Sequence, residues 1–322
     1  MKKLLVLGAG GFIGSHLVRH LKRNPDNYVV GADIKKPLYG FDTHADEFHV
    51  CDLTDFESCR NIITHNVDEI YQLAADMGGA GYVFTGDNDA NIMHNSVSIN
   101  LNVLQCMELA KVKKVLYTSS ACIYPEHNQM DRDNPICSEE SAYPANPDSE
   151  YGWEKLFSER LYKAFEKNRG YDVRIARLHN VFGPYGSWDN GKEKAPAALC
   201  RKVALTPDGG EIEVWGPGNQ TRSFLYVDEC VEGFERIMAG SYTDPINLGS
   251  ARMISINGLV DLIAGIAGKD IKIKNIPGPV GVNGRTSDNT LIQEQLGWAP
   301  QDNLEHGITQ TLQWITEQIN SR

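Results

Sequence analysis

Four apolar residues, Leu4-Leu5-Val6-Leu7, run directly into Gly8-Ala9-Gly10-Gly11-Phe12-Ile13-Gly14, and apolar residues then recur at Phe12, Ile13, Leu17 and Leu21. A short continuous apolar run fits a strand buried on both faces of a parallel sheet, and recurrence every three to four residues fits a helix. The chain must therefore turn from strand to helix across a glycine loop. Gly8 and Gly11 permit the tight turn and a close backbone approach, and Gly14 lets the helix pack on the strand. The helix N-terminus then faces an anion, and the pyrophosphate of a dinucleotide suits this spacing. Phe12 and Ile13 complete the candidate cofactor loop.

The pattern repeats. Tyr28-Val29-Val30-Gly31-Ala32 reads as a second strand ending at Asp33. A carboxylate there accepts bonds from ribose hydroxyls and repels a 2′-phosphate, which favours NAD over NADP, although Lys35 and Lys36 could tolerate a phosphate. Phe48-His49-Val50 precedes Cys51-Asp52, and Asp52 is either an adenine contact or a loop cap. Further strands are expected at 69–73, 115–118 and 173–177, with helices at Ser96–Leu109 and Glu150–Phe165 between them. This alternation predicts an α/β fold with a doubly wound parallel sheet, the Rossmann arrangement. After residue 178 the chain becomes rich in Gly, Pro and aromatics. We expect a cofactor domain over 1–178, with 225–245 returning to it. A smaller, discontinuous α/β substrate domain is expected over 179–224 and 246–322.

The 322 residues carry a formal net charge of -11, which argues against a nucleic-acid partner. No apolar run approaches the ~20 residues of a membrane span, so no membrane partner is expected and the cytoplasm is the expected compartment. The 7 cysteines match no zinc spacing, so no metal is expected.

Thr118-Ser119-Ser120-Ala121-Cys122-Ile123-Tyr124-Pro125 and Tyr151-Gly152-Trp153-Glu154-Lys155 carry the chemistry. Tyr151 and Lys155 are four apart and share one helix face. A free phenol has a pKa near 10, but a nearby ammonium and an oxidised nicotinamide both favour the phenolate. Tyr151 can then take an alcohol proton as hydride leaves. Lys155 would hold the nicotinamide ribose, and Ser120 would hydrogen-bond the substrate oxygen. Cys122 is surplus to an alcohol oxidation and points to acid/base chemistry on carbon.

These residues together resemble the extended short-chain dehydrogenase/reductase family, which acts on nucleotide sugars. Further stretches resemble its NAD-dependent epimerase branch: Leu73-Ala74-Ala75-Asp76-Met77-Gly78-Gly79, Glu193-Lys194-Ala195-Pro196, Gln220-Thr221-Arg222-Ser223-Phe224 and Gly284-Arg285-x-Ser287-Asp288-Asn289. The resemblance implies a GDP-linked sugar as substrate, NAD as a cofactor regenerated in each cycle, and a homodimer built on two helices per subunit. It implies that Cys122 and Lys194 exchange protons on opposite faces of a carbon beside a transient ketone, as inversion requires. It also implies a substrate pocket of Gly79, Ser120, Ala121, Cys122, Asn180, Glu193, Lys194, Ala195, Gln220, Thr221 and Arg222. Lys202, Arg222 and Arg285 are the candidates for the anionic end of the substrate. Two other readings stay open. A reductive relative that inverts two carbons would consume NADPH and carry His in place of Lys194. A non-catalytic dinucleotide sensor of the same fold would tolerate loss of Tyr151.

Overall fold

The apolar runs align into one sheet in the computed structural model, which describes residues 1–278 and 280–322. The first six strands are β1 (Lys2–Leu7), β2 (Asn27–Asp33), β3 (Glu47–Val50), β4 (Glu69–Gln72), β5 (Lys114–Ser120) and β6 (Asp172–Leu178). They lie in the order β3-β2-β1-β4-β5-β6, with Ile246–Leu248 added beyond β6, and every pairing is parallel. The winding direction reverses between β1 and β4. An open sheet of this kind keeps its ligand crevice there, beyond the carboxyl ends of the strands.

Alternation within β1 explains why both faces are covered. Leu4 and Val6 point into one apolar layer with Leu17, Val18, Val231 and Phe234, while Leu5 and Leu7 point into the other with Ile70, Val103, Met107 and Val115. Each such side chain contributes about 1.5–3 kcal/mol on burial. The helices of this half are α1 (Phe12–Leu21), α2 (Phe56–Ile62), α3 (Ala80–Val83), α4 (Asp89–Ala110) and α5 (Glu150–Arg169). Ser149 caps α5 by accepting a bond from the Gly152 N–H at 3.2 Å, and Gly170 ends it in the left-handed region at φ 64°. α4 starts seven residues before the expected Ser96. Its first two turns are mostly polar and hide the helical period, but Ile92 is fully buried beside Val83 and Tyr151.

The remainder forms β7 (Val181–Phe182), α6 (Ala195–Leu205), β8 (Glu211–Trp215), β9 (Thr221–Ser223) and β10 (Leu225–Tyr226). These are followed by α7 (Val227–Ala239), β11 (Ile246–Leu248), β12 (Met253–Ser255) and α8 (Ile256–Ala267). The chain closes with β13 (Lys272–Ile276), β14 (Gly284–Arg285), α9 (Thr290–Leu296) and α10 (Leu304–Asn320). α7 packs against α1, and β11 is the seventh strand of the main sheet, so the chain stays with that sheet to residue 248 rather than 245. β9 pairs with β12 and β14, bringing Arg222 opposite Arg285. Among the described residues no helix is long and apolar enough to cross a membrane, and no cluster of His, Cys, Asp and Glu could hold a metal ion.

Candidate active site

The glycine loop is built from backbone approaches that side chains would block. Gly8 has φ 84°, and a Cβ on Gly14 would lie 2.0 Å from the Gly8 carbonyl oxygen. A Cβ on Gly10 would lie 2.0 Å from the Lys35 carbonyl oxygen, so Gly10 is required as well, and its N–H donates to Asp33 Oδ2 at 2.9 Å. Asp33 Oδ1 accepts from the Lys35 N–H at 3.1 Å. Burial pushes the Asp33 carboxyl upward, opposed by the N–H donors of Lys35, Gly10 and Gly11. No side chain caps α1 at Gly11. Its first turn, with Phe12, Ile13 and Gly14, therefore presents free N–H groups to an anion, and the loop and Asp33 fit a dinucleotide. Asp52 is exposed and accepts from both the N–H and the hydroxyl of Thr54 through Oδ1, at 2.9 and 2.8 Å, as a turn cap does.

At the ends of β5 and α5 the structure brings Ser120, Tyr151 and Lys155 together. The two serines divide: Ser119 donates to Glu159 at 2.5 Å in the core, while Ser120 sits at the strand end and accepts from the Cys122 N–H at 3.2 Å. Lys155 is buried, donates to the Thr118 carbonyl at 3.0 Å, and lies 5.7 Å from the Tyr151 ring centroid. Burial lowers its pKa, opposed by Glu154, Glu159 and Cys122. Burial raises the Tyr151 phenol, with Cys122 and Glu154 adding to it. The groups that counter this are the Ser120 hydroxyl and Arg285. The expected help from Lys155 is thus less direct than its spacing suggests, because its ammonium is drawn toward Thr118.

Cys122 follows Ala121 in a short turn and is half-buried. Lys194 begins α6, and burial lowers its pKa, with Cys122 the largest opposing influence. The thiol thus lies within electrostatic reach of both the Lys194 ammonium and the Tyr151 phenol. Arg285 was expected at the anionic end of the substrate. Its Nη1 donates to Cys122 Sγ at 3.1 Å, its Nη2 to Asp148 Oδ2 at 3.0 Å and its Nε to Gln129 Oε1 at 2.5 Å. All three nitrogens have protein partners.

The other substrate candidates divide. Gly79 donates its N–H to the Lys192 carbonyl at 3.1 Å, joining the loop after β4 to the segment carrying Glu193 and Lys194. Glu193 pairs with Arg201 through Oε1 at 3.1 Å, leaving Oε2 buried without a partner, and Gln220 Oε1 is likewise buried and unsatisfied. Such atoms suit ligand donors. Ala195 opens α6 beside them. Asn180 sits at φ 39° and donates to the Ser223 carbonyl at 2.9 Å, and the Thr221 hydroxyl donates to the Arg132 carbonyl. Arg222 donates to the carbonyls of Thr221, Val280 and Val282, and burial beside Arg285 lowers its pKa to about 10. Lys202 donates to the Glu213 carbonyl at 2.5 Å on the rim. Gly10, Gln129 and Asp148 escaped the sequence reading. The Gly-x-Gly-Gly run signalled the first, and no local pattern signals the other two.

Comparison with known proteins gives the family. The model of the NAD dependent epimerase/dehydratase family matches residues 4–249. The chain is 45% identical to GDP-mannose 3,5-epimerase of Arabidopsis thaliana over 98% of its length and 83% of that protein. It is 44% identical to GDP-mannose 3,5-epimerase 1 of Oryza sativa subsp. indica over 98% of this chain and 82% of the other. The structure of UDP-glucose 4-epimerase from Thermotoga maritima with UDP-glucose superimposes with a TM-score of 0.85, at 24% identity, covering 98% of this chain and 99% of that one. That likeness shows the fold. The chain belongs to the NAD dependent epimerase/dehydratase family: it is an enzyme, and NAD is its cofactor.

Proposed function

We propose that this enzyme inverts carbons 3 and 5 of the mannosyl ring of GDP-mannose, giving GDP-L-galactose, and GDP-L-gulose where carbon 5 alone is inverted. The observation that carries the reading is a half-buried thiol and a half-buried ammonium, Cys122 and Lys194, within electrostatic reach of one another, with the thiol also acting on Tyr151. The relatives at 44–45% identity support it.

NAD, when bound, supplies the acceptor and later the donor of one hydride. Tyr151 takes the proton of the carbon-4 hydroxyl, and Ser120 holds that oxygen. With carbon 4 a ketone, the hydrogens on carbons 3 and 5 become acidic. Cys122 removes a proton from one face and Lys194 returns one from the other. Burial lowers the Lys194 pKa, as proton exchange near neutrality requires. Tyr151 then returns its proton to the carbon-4 oxygen. No net oxidation remains. Glu193 and Gln220, with their unsatisfied oxygens, bind the sugar nucleotide, and Lys202 and Arg222 face its diphosphate. Incubation with GDP-mannose and no added reductant tests the proposal: new GDP-hexoses support it, and a requirement for NADPH contradicts it.

The same reading divides the chain into a cofactor domain of 1–178 and 225–248 and a substrate domain over the rest. It makes the protein a homodimer through α4 and α5, whose Leu101, Leu109, Trp153 and Phe157 are exposed apolar side chains on adjacent helices. Seven free cysteines suit the reducing cytoplasm.

A further inference from the structure

Arg285 is 5% exposed, and its ion pair with Asp148 has both side chains 6% exposed. One end of this guanidinium donates to Cys122 Sγ at 3.1 Å, and the other donates to Asp148 Oδ2 at 3.0 Å. A cation that hydrogen-bonds a sulfur favours the thiolate. A carboxylate on the same cation withdraws part of that effect. The balance matters because cations surround the thiol. Lys155 and Tyr151 face it from α5, Lys194 from the head of α6, Arg222 from β9 and Arg285 from β14. The Cys137 thiol lies behind both arginines. Glu154 and Glu159 act on Lys155 rather than on the thiol. Asp148, on the segment before α5, is the carboxylate in contact with this group of cations. A thiol held too firmly as thiolate is a weak base toward carbon and a poor donor on the return step.

We propose that Asp148 is a positioning residue that sets, through Arg285, how readily Cys122 gives up and takes back its proton. The inference rests on the role of Cys122 given above. Gln129 holds the Nε edge and fixes the plane of the guanidinium, so Asp148 and Cys122 share one cation along a fixed line.

The test is alkylation of the NAD-loaded protein by iodoacetamide across pH, with the rate at Cys122 read by mass mapping of its peptide. Asp148→Asn keeps an acceptor for Arg285 and removes the charge. It shifts the Cys122 midpoint down, so that alkylation at neutral pH quickens, while Arg285→Gln shifts it up and slows alkylation. Asp148→Glu restores the charge and leaves the midpoint at its original value. An unchanged or raised midpoint in Asp148→Asn overturns the proposal. So does a midpoint in Asp148→Glu that moves as far as in the Asn variant, since a merely structural residue would produce that. No sugar nucleotide is present, so this outcome is separate from the epimerase reading, which fails on substrate conversion instead.

Discussion

Gly152 and Cys122 are in backbone contact: a Cβ on Gly152 would lie 2.2 Å from the Cys122 carbonyl oxygen and 2.9 Å from Pro147 Cβ. The first turn of α5 therefore docks directly on the turn that carries the thiol. That contact fixes Tyr151 and Cys122 relative to one another, so the hydride step and the proton-exchange step share one structural joint.

Gly152→Ala separates the two. Alanine gains about 1 kcal/mol of helix propensity over glycine. Overpacking against backbone costs about 1–3 kcal/mol, which exceeds it. The variant is expected to melt several degrees lower. Its turnover should fall roughly 100-fold, because a displacement near 1 Å has that effect on positioned groups. NAD affinity should stay within about threefold, since the glycine loop and Asp33 are left unchanged. Calorimetry and steady-state kinetics measure both effects.

Asp33 anchors the cofactor loop through Gly10 and Lys35. A bond to a charged group is worth about 1.5–3 kcal/mol, and about 1.4 kcal/mol is tenfold in affinity. Asp33→Ala is expected to weaken NAD at least tenfold and to narrow the preference over NADP, with Lys35 and Lys36 left to meet the extra phosphate. Fluorescence titration with both cofactors shows it.

His179 predicts an acid sensitivity. It is fully buried, its Nε2 meets Asn247 Oδ1 at 3.0 Å, and its Nδ1 has no partner. Burial, with Arg285 and Arg177 nearby, brings its pKa down to about 4 from 6.5. Between those values the unfolded chain binds more protons than the folded one, so stability is complete above pH 6.5 and falls as pH drops toward 4. The loss from this group is about 3 kcal/mol. Urea unfolding at pH 7.5 and pH 4.5 measures it, and His179→Gln should show a loss smaller by about that amount.

Most of the fold was legible because it rests on local period. The expected helix from Phe12 to Leu21 matches α1 residue for residue, and each strand of the first half lies within a few residues of its expected span. Tyr151 and Lys155 were legible because four-residue spacing on a helix fixes their shared face. The start of α4 was not, since one buried Ile92 among polar neighbours gives no period. The environment of Cys122 was not legible either. Asp148 and Gln129 meet Arg285 across 137 and 156 residues of chain, through the pairing of β14 with β9. Arg285 was assigned to the substrate's anionic end because arginine suits diphosphate, and only the fold shows that it also holds Cys122, Asp148 and Gln129.

The central claim is that Cys122 moves protons on sugar carbon. The direct measurement is an NMR spectrum of GDP-mannose incubated with the purified NAD-loaded protein in heavy water, alongside the Cys122→Ala variant. The account predicts deuterium at carbons 3 and 5 with the unchanged protein, and none with a variant that still holds NAD. Undiminished exchange in Cys122→Ala, or no exchange with the unchanged protein, would contradict it.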